Sequence, residues 1–234
     1  EHILLKGTKA DKRLKADKVQ VGQLLRSPVT IFKPIITLNI PDHLAYVLGV
    51  IYGDGYIQKR AITISQAVKN MDIIKQVNSI CPRLKIYIKT PKERQIGKYV
   101  VLEQACQLHT NDQYLVKMAT AMLRPSISKI MMLTDSALTA FFGGLLDSDG
   151  DINHNNGKIV GIRLYPTYDK KDLETLLYLL RRFGIRAKII WRTKNIPMVM
   201  MTGPNTSKFI DLVKQYSVKV RREGEIKIDH HDWY

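Results

Sequence analysis

The chain has 234 residues, 45% of them hydrophobic, which is enough to bury a core in one large domain or two small ones. It carries 37 Lys and Arg against 21 Asp and Glu, a net charge of +16, which favours a polyanionic partner over a merely soluble basic protein. Because no run of about 18 apolar residues occurs, a membrane span is excluded and nucleic acid is the expected partner.

The cysteines and the start of the chain indicate the compartment. Cys81 and Cys106 show no metal-ligand spacing, and we interpret them as buried small hydrophobes. The N-terminus lacks the order of charged, apolar and small residues that makes a secretory signal. We therefore expect an intracellular, reducing compartment, either the cytoplasm and nucleoid or a eukaryotic organelle.

Residues 1–40 form a basic N-terminal extension. A weak apolar stripe that includes Leu14, Val21 and Leu24 predicts a helix through about 10–26. The extension is either an arm along a DNA backbone or a solvated segment packed on the main domain, and the sequence leaves both open.

Residues 41–130 form the first of two similar halves. Asp42 is predicted to cap a helix that is apolar nearly all round, as a buried helix is, and that ends at Gly55. The spacing then predicts two strands over 56–65, a helix over 71–80, strands over 84–89 and 99–109, and a helix over 112–123.

Residues 131–234 repeat this order and add a C-terminal tail. Thr134 or Asp135 caps a helix that runs to Asp149 and Gly150. A strand over 158–167, a helix capped by Asp169, strands over 186–192 and 199–202 and a helix over 205–215 follow. Two copies of one unit indicate a fused pair of similar halves, since a solenoid needs shorter and more numerous repeats.

The first helix of each half ends in a related stretch, VLGVIYGDG at 47–55 and FGGLLDSDG at 142–150. Small residues recur four apart, Gly49 with Gly53 and Gly144 with Ser148, so each pair lies on one helix face. Such faces let two helices approach more closely than the usual 8–10 Å between axes, which would place the final acids, Asp54 and Asp149, side by side.

These carboxylates fall at the negative end of the helix dipole, where they are unfavourable without a cation. Asp147 and Asp151 add further acid around the second copy. Mg²⁺ is the simplest compensating ion, and paired acids with metal suit phosphodiester hydrolysis. The alternative is that the two Asp-Gly pairs merely form turns after buried helices. The matching small-residue faces and the basic charge of the chain argue against this alternative.

The two stretches resemble the LAGLIDADG motif of homing endonucleases, in the single-chain form with two motif copies. The first copy departs from the family pattern at Tyr52 and Gly53, and the similar element order covers about residues 41–216. The resemblance implies an α+β fold of two pseudo-symmetric αββαββα halves. Their two antiparallel sheets form a saddle over DNA, with the motif helices packed at the interface.

The resemblance also implies the site. Asp54 and Asp149 would be the metal ligands, joined by the main-chain carbonyls of Gly53 and Ser148, and they would cut both strands to leave short 3′ overhangs. Gln66 resembles the polar residue that the family places near the attacking water. The family's nearby lysine is not evident, and the matching region of the second half, Tyr165-Pro166-Thr167, offers no glutamine. We therefore expect two non-equivalent centres.

Strand alternation supplies the candidate DNA contacts, some of which would contact bases, while others would contact phosphates or be plain surface. They are Tyr56, Gln58, Arg60, Thr63, Lys85, Tyr87 and Lys89 in the first half and Asn153, Asn155, Arg163, Tyr165, Lys188 and Arg192 in the second.

The leading hypothesis is a monomeric, intron-encoded homing endonuclease that makes double-strand breaks at a long, non-palindromic DNA site. Two or more Mg²⁺ ions would be its cofactors, and Mn²⁺ or Ca²⁺ could occupy their sites. The alternative is an RNA-splicing maturase of the same fold that binds intron RNA. A third hypothesis is a transcription regulator that keeps the fold without the chemistry, although such a protein would have lost the acids.

Overall fold

The computed structural model describes residues 3–5, 13–15, 34, 36–96, 99–165, 169–192, 196–224 and 226–228. Two short strands, Ile3–Leu5 (β1) and Arg13–Lys15 (β2), pair antiparallel ahead of the first helix. The helix predicted through 10–26 is therefore wrong at residues 13–15, and its other positions lie outside the described residues.

The first half begins with a buried helix and alternates strand pairs with helices. Its elements are α1 (Asp42–Asp54), β3 (Gly55–Ile57), β4 (Ile62–Ala67), α2 (Met71–Ile80), β5 (Lys85–Ile88), β6 (Lys92–Ile96), β7 (Tyr99–Glu103), β8 (Ala105–Thr110) and α3 (Gln113–Leu123). Short 3₁₀ helices occupy Val68–Asn70 and Ile127–Met132. The single strand predicted over 99–109 is thus two strands, of which β7 pairs with β6 in a separate hairpin.

The second half follows the same order and ends in one more helix. Its elements are α4 (Asp135–Asp149), β9 (Gly150–Asn155), β10 (Lys158–Leu164), α5 (Lys170–Arg181), β11 (Lys188–Arg192), β12 (Ile196–Thr202), α6 (Pro204–Val213) and α7 (Val218–Arg222). None of the described helices is long and apolar enough to cross a membrane.

Each half contains a four-stranded antiparallel sheet with the same strand arrangement. The order is β3-β4-β8-β5 in the first half and β9-β10-β12-β11 in the second. One face of each sheet is apolar and buried, as Ile62, Ile64 and Leu108 are in the first half. The α+β fold of two pseudo-symmetric halves is therefore confirmed.

Helices α1 and α4 pack directly on each other through their glycines. A Cβ on Gly49 would lie 2.1 Å from the carbonyl oxygen of Phe141, and a Cβ on Gly144 would lie 2.0 Å from that of Tyr46. Farther along, a Cβ on Gly53 would lie 2.2 Å from the Ser148 Oγ. Because these contacts advance together along both helices, α1 and α4 run in the same direction and their C-termini meet.

The helix starts match the predictions at one position and not at another. The Thr134 side chain caps α4 by accepting a hydrogen bond from Ala137 N at 3.3 Å. The predicted Asp42 cap is wrong, because Pro41 occupies the cap position of α1 and Asp42 lies in the first turn. Its carboxylate accepts hydrogen bonds from the hydroxyls of Ser136 and Tyr216 instead, which links α1 to the second half.

The glycine contacts give a stability prediction. Gly49→Ala should lower the free energy of unfolding by about 3 kcal/mol, because its methyl group would meet backbone rather than a movable side chain. His43→Ala, an exposed change on the same helix, is the matched control. Thermal and urea unfolding measure both, and equal stability of the two variants would contradict the close packing of α1 on α4.

Candidate active site

The two motif acids lie together where α1 and α4 end. Asp54 is the last residue of α1 and Asp149 the last residue of α4, so both carboxylates face the negative ends of two helix dipoles. Burial, followed by the neighbouring charge of Asp149, raises the pKa of Asp54 to about 7. Burial likewise raises the pKa of Asp149. Two desolvated acids with raised pKa values at one point favour a cation there.

Gln66 contacts the first of these acids. It lies near the end of β4 on the same face as Ile62 and Ile64, only 6% exposed, and its Nε2 donates a hydrogen bond to Asp54 Oδ2. Its Oε1 in turn accepts a hydrogen bond from Asn70 Nδ2 at 2.8 Å. The structure thus brings Gln66 to the Asp54 carboxylate, in the orientation that leaves its amide nitrogen on the acid.

A lysine that the sequence interpretation missed lies beside the same acids. Lys219 Nζ donates to the main-chain oxygens of Leu146, Ser148 and Gly150, at 3.0, 3.2 and 2.7 Å. These carbonyls belong to the last turn and end of α4, where a cation is electrostatically favoured.

The charge state of Lys219 reflects two opposed influences. Burial lowers the pKa of its ammonium group, while the charges of Asp147, Asp54, Asp149 and Asp151 act to raise it. The lysine lies far from both motif copies in the chain, so motif spacing contained no signal for it. The only hint was a run of basic residues after the last predicted helix.

Asp147 fixes this lysine in place. It is fully buried, and its Oδ1 accepts from Ser217 Oγ at 2.6 Å and Lys219 N at 2.9 Å. Its Oδ2 accepts from Tyr46 Oη at 2.7 Å and Val218 N at 2.8 Å. The expectation that Asp147 adds acid to the cation site is therefore wrong, since its charge is satisfied by hydrogen bonds at the start of α7.

The first half has a different set of contacts at the position that matches Asp147. Tyr52 occupies the position that corresponds to Asp147, and its hydroxyl donates to Asp172 Oδ2 at 3.1 Å. Asp172 Oδ1 accepts from Ile127 N at 3.1 Å, at the start of a 3₁₀ helix. Tyr52 of α1 and Asp172 of α5 together thus anchor a neighbouring segment beside the motif helix, as Asp147 alone does in the second half.

The residues that could hold a divalent cation are few. Among the described residues, no three His, Cys, Asp or Glu side chains form a cluster that could hold a metal. A site here would consist of the two carboxylates together with main-chain oxygens, for which the sequence interpretation named Gly53 and Ser148. The Ser148 hydroxyl is not part of this ligand set, since it donates to Gly144 O at 3.0 Å inside the helix pair.

Cavities on the two flanks of the helix ends differ in charge. One, of about 340 Å³, is lined by Lys69, Asn70, Asp151, Lys219 and Arg222 among others. The other, of about 310 Å³, has Tyr52, Arg124, Asp169 and Asp172 in its wall. The first cavity suits a phosphate better than the second, so the two sides of the site are unequal, as the differences between the motif copies predict.

The candidate DNA contacts of the first half lie mostly on one sheet face. Directly paired residues of antiparallel strands share a face, and Tyr56 pairs with Thr63, Thr63 with His109 and His109 with Lys85. Tyr87 joins this face through Gln107. Three positions that the sequence interpretation missed also lie on it: Ser65, Gln107 and His109.

Three other candidates of the first half lie outside the strands. Gln58 and Arg60 are exposed in the turn between β3 and β4, and exposed Lys89 directly follows β5.

The second half shows the same arrangement with one added ion pair. Arg163 pairs across β9 with Asp151, whose alternate neighbours on that strand are Asn153 and Asn155. Arg163 Nη1 lies 3.5 Å from Asp151 Oδ2. Met200 lies opposite both Arg163 and Lys188, so these residues share one face.

The last two candidates lie at strand ends. Tyr165 follows β10, and its main-chain N donates to Asp149 O at 2.9 Å. Arg192 ends β11, and its side chain lies outside the described part of the chain, as do Pro166 and Thr167.

Comparison with known proteins agrees with this architecture. Residues 136–214 match the family model of the LAGLIDADG-like domain. No curated protein matches the chain by sequence. The homing endonuclease I-WcaI, solved bound to its DNA recognition sequence, has a TM-score of 0.59 and 18% identity over 82% of this chain and 90% of its own.

Two further solved structures share the fold. I-DmoI, solved in complex with DNA and Mn, has a TM-score of 0.51 and 19% identity over 74% of this chain and 96% of its own. The N-terminal LAGLIDADG domain of DUF199/WhiA has a TM-score of 0.52 and 12% identity over 78% and 86%. The chain therefore carries a LAGLIDADG-like domain and has the fold of the two-motif LAGLIDADG proteins.

The different surroundings of Asp147 and Asp149 give opposite stability predictions. Asp147→Asn should lower the free energy of unfolding by about 3 kcal/mol, because an amide group would face donors that now meet a carboxylate. Asp149→Asn should raise it by about 1 kcal/mol in metal-free buffer, because it removes a like charge beside Asp54. Chemical unfolding in EDTA measures both. The same sign for the two changes would contradict the separate roles assigned here.

Proposed function

We propose that this chain is a site-specific DNA endonuclease that makes double-strand breaks by divalent-metal-dependent phosphodiester hydrolysis. One observation carries the proposal: α1 and α4 run in the same direction and bring Asp54 and Asp149, both half-buried, to one point. The fold shared with homing endonucleases solved on their DNA supports it. A protein that only binds RNA or DNA would have no use for this destabilising pair of acids.

The residues at the site fit a divalent cation such as Mg²⁺. Asp54 and Asp149 are hard oxygen ligands, and the positive charge of a bound metal would offset their mutual repulsion and partial burial. We assign them as the ligands, together with the main-chain oxygens of Gly53 and Ser148, the second of which also accepts from Lys219 Nζ. When bound, the metal activates water and stabilises the oxygens of the phosphodiester. Mn²⁺ or Ca²⁺ could occupy the same ligands.

Gln66 and Lys219 are the other two residues of the proposed active site. The Gln66 amide donates to Asp54, and we assign it the roles of fixing that carboxylate and orienting water beside it. The Lys219 ammonium, held on three carbonyls, supplies positive charge where a scissile phosphate gains negative charge. It lines the cavity that also contains Lys69 and Arg222. We therefore assign Asp54, Asp149, Gln66 and Lys219 as the catalytic set.

The exposed sheet faces are the proposed DNA-binding surfaces. The first half offers hydrogen-bonding side chains in register, such as Thr63, Gln107 and His109. The second offers Arg163 and Asn153 among methionines, such as Met200. Because the faces differ, the target of one chain acting as a monomer would be long and non-palindromic. We place the enzyme among intron-encoded homing endonucleases, with intron RNA as the alternative partner.

Cleavage of a randomised DNA library with Mg²⁺ tests the activity and identifies the target together. Asp54→Asn and Asp149→Asn should each reduce double-strand cleavage of that target by about 10³-fold, since several kcal/mol of transition-state stabilisation are lost. DNA affinity in Ca²⁺ should persist. Asp211→Asn, which changes an exposed acid on α6, is the control. Full cleavage by both site variants, or cleavage in excess EDTA, would refute the mechanism.

DNA binding by the sheet face is tested by comparing two lysines. Lys85→Ala, on the face that carries Thr63 and His109, should weaken DNA binding and reduce the slope of log K against log salt by about 1. Lys117→Ala, exposed on α3 in the helix layer, should leave the slope unchanged. Fluorescence anisotropy over a salt series measures both, and equal slopes would place the DNA elsewhere.

A further inference from the structure

Helix α7 of the second half is bound to α2 of the first half through two arginines. Arg222 Nε donates to Asp72 Oδ2 at 2.5 Å, and its Nη2 donates to the other oxygen. Arg222 Nη1 also donates to Asn70 Oδ1 at 3.3 Å. Arg221 makes a parallel link, from its Nη2 to Gln76 Oε1. Only the Arg222 link continues toward the acids.

The continuation is a chain of three hydrogen bonds with one direction. Arg222 donates to Asn70, Asn70 Nδ2 donates to Gln66 Oε1, and Gln66 Nε2 donates to Asp54 Oδ2. An arginine can only donate and a carboxylate can only accept, so the two ends fix the orientation of both amides between them. Without the arginine, Asn70 has no charged donor to hold its oxygen outward.

The orientation of Gln66 matters because its side chain is buried. Gln66 is 6% exposed, so a rotated amide would point Oε1 at the Asp54 oxygen, with little water to separate the two acceptors. The arrangement serves only one of the two acids. Within the described part of the chain, no side chain hydrogen-bonds the Asp149 carboxylate.

We propose that Arg222 is a positioning residue for Asp54: through Asn70 it holds the amide nitrogen of Gln66 on that carboxylate, and it thereby sets the cleavage rate of one DNA strand. The inference rests on the proposed endonuclease function for the strand-specific effect. The orientation of Gln66 itself exists in the protein without DNA or metal, so it has a test that needs no activity.

The first experiment observes Gln66 directly. The side-chain amide resonances of Gln66 in ¹⁵N-labelled protein are assigned by their loss in Gln66→Glu. In Arg222→Met they should shift, because the amide nitrogen is no longer held on the Asp54 carboxylate. In Arg221→Met, which removes the parallel link between the same helices, they should stay in place. Unmoved resonances in Arg222→Met would overturn the proposal.

The second experiment follows the two strands separately, on the target selected from the randomised library and labelled differently on each strand. Arg222→Met and Asn70→Asp should slow cleavage of one and the same strand by about 10-fold or more. Arg222→Lys, which retains a donor, should recover much of that rate, and Arg221→Met should cut both strands as the wild type does. Rates are compared at saturating enzyme, so that any loss of DNA affinity from removing the Arg222 charge in the cavity does not enter the comparison.

The outcomes separate the two proposals. If Arg222→Met and Arg221→Met slow both strands alike, Arg222 is only a clamp between the halves, and the positioning role is refuted. If the wild type cuts no sequence in the library, the endonuclease function fails, while the Gln66 resonances still decide the orientation.

Discussion

The approach of α1 to α4 is the constraint on which the rest of the site depends. Gly49 and Gly144 each face a main-chain oxygen of the opposite helix at a distance that excludes even a methyl group. Since the two helices run in the same direction, the contact brings two C-termini together, and with them two carboxylates and two negative dipole ends. The packing that stabilises the centre of the molecule therefore creates, at one end, an electrostatic cost that a cation offsets.

The two acids of the second motif copy show how sharply position within a helix separates roles. Asp147 and Asp149 are two residues apart, so their side chains point in different directions from α4. Asp147 is fully buried and accepts four hydrogen bonds, which makes it an anchor for α7. Asp149 receives no comparable set among the described residues, and its pKa is raised by burial. If acidic side chains alone were counted, both Asp147 and Asp149 would be assigned as metal ligands.

Much of this architecture followed from local pattern. The bounds of α1 and α4, the paired acids and the place of Gln66 before α2 depend on periodicity and on a motif, and these are legible in the sequence. What depends on pairing between distant segments was not. Lys219 reaches the site because Asp147 binds its main chain, a contact between residues far apart in the sequence. Ser65, Gln107 and His109 join the DNA-facing surface through the register of β4 with β8, which alternation within one strand does not fix.

The two halves differ in their motif helices and in the charged residues around the ends of those helices. Where α4 has Asp147, α1 has Tyr52, and the missing carboxylate is supplied by Asp172 from α5. One flank of the helix ends is consequently acidic, while α7 makes the other basic with Lys219 and Arg222. A short helix of five residues has little stability of its own, so its place is set by Asp147 on one side and by α2 on the other. The element that carries the lysine thus adds a second link between the two halves beside the acids.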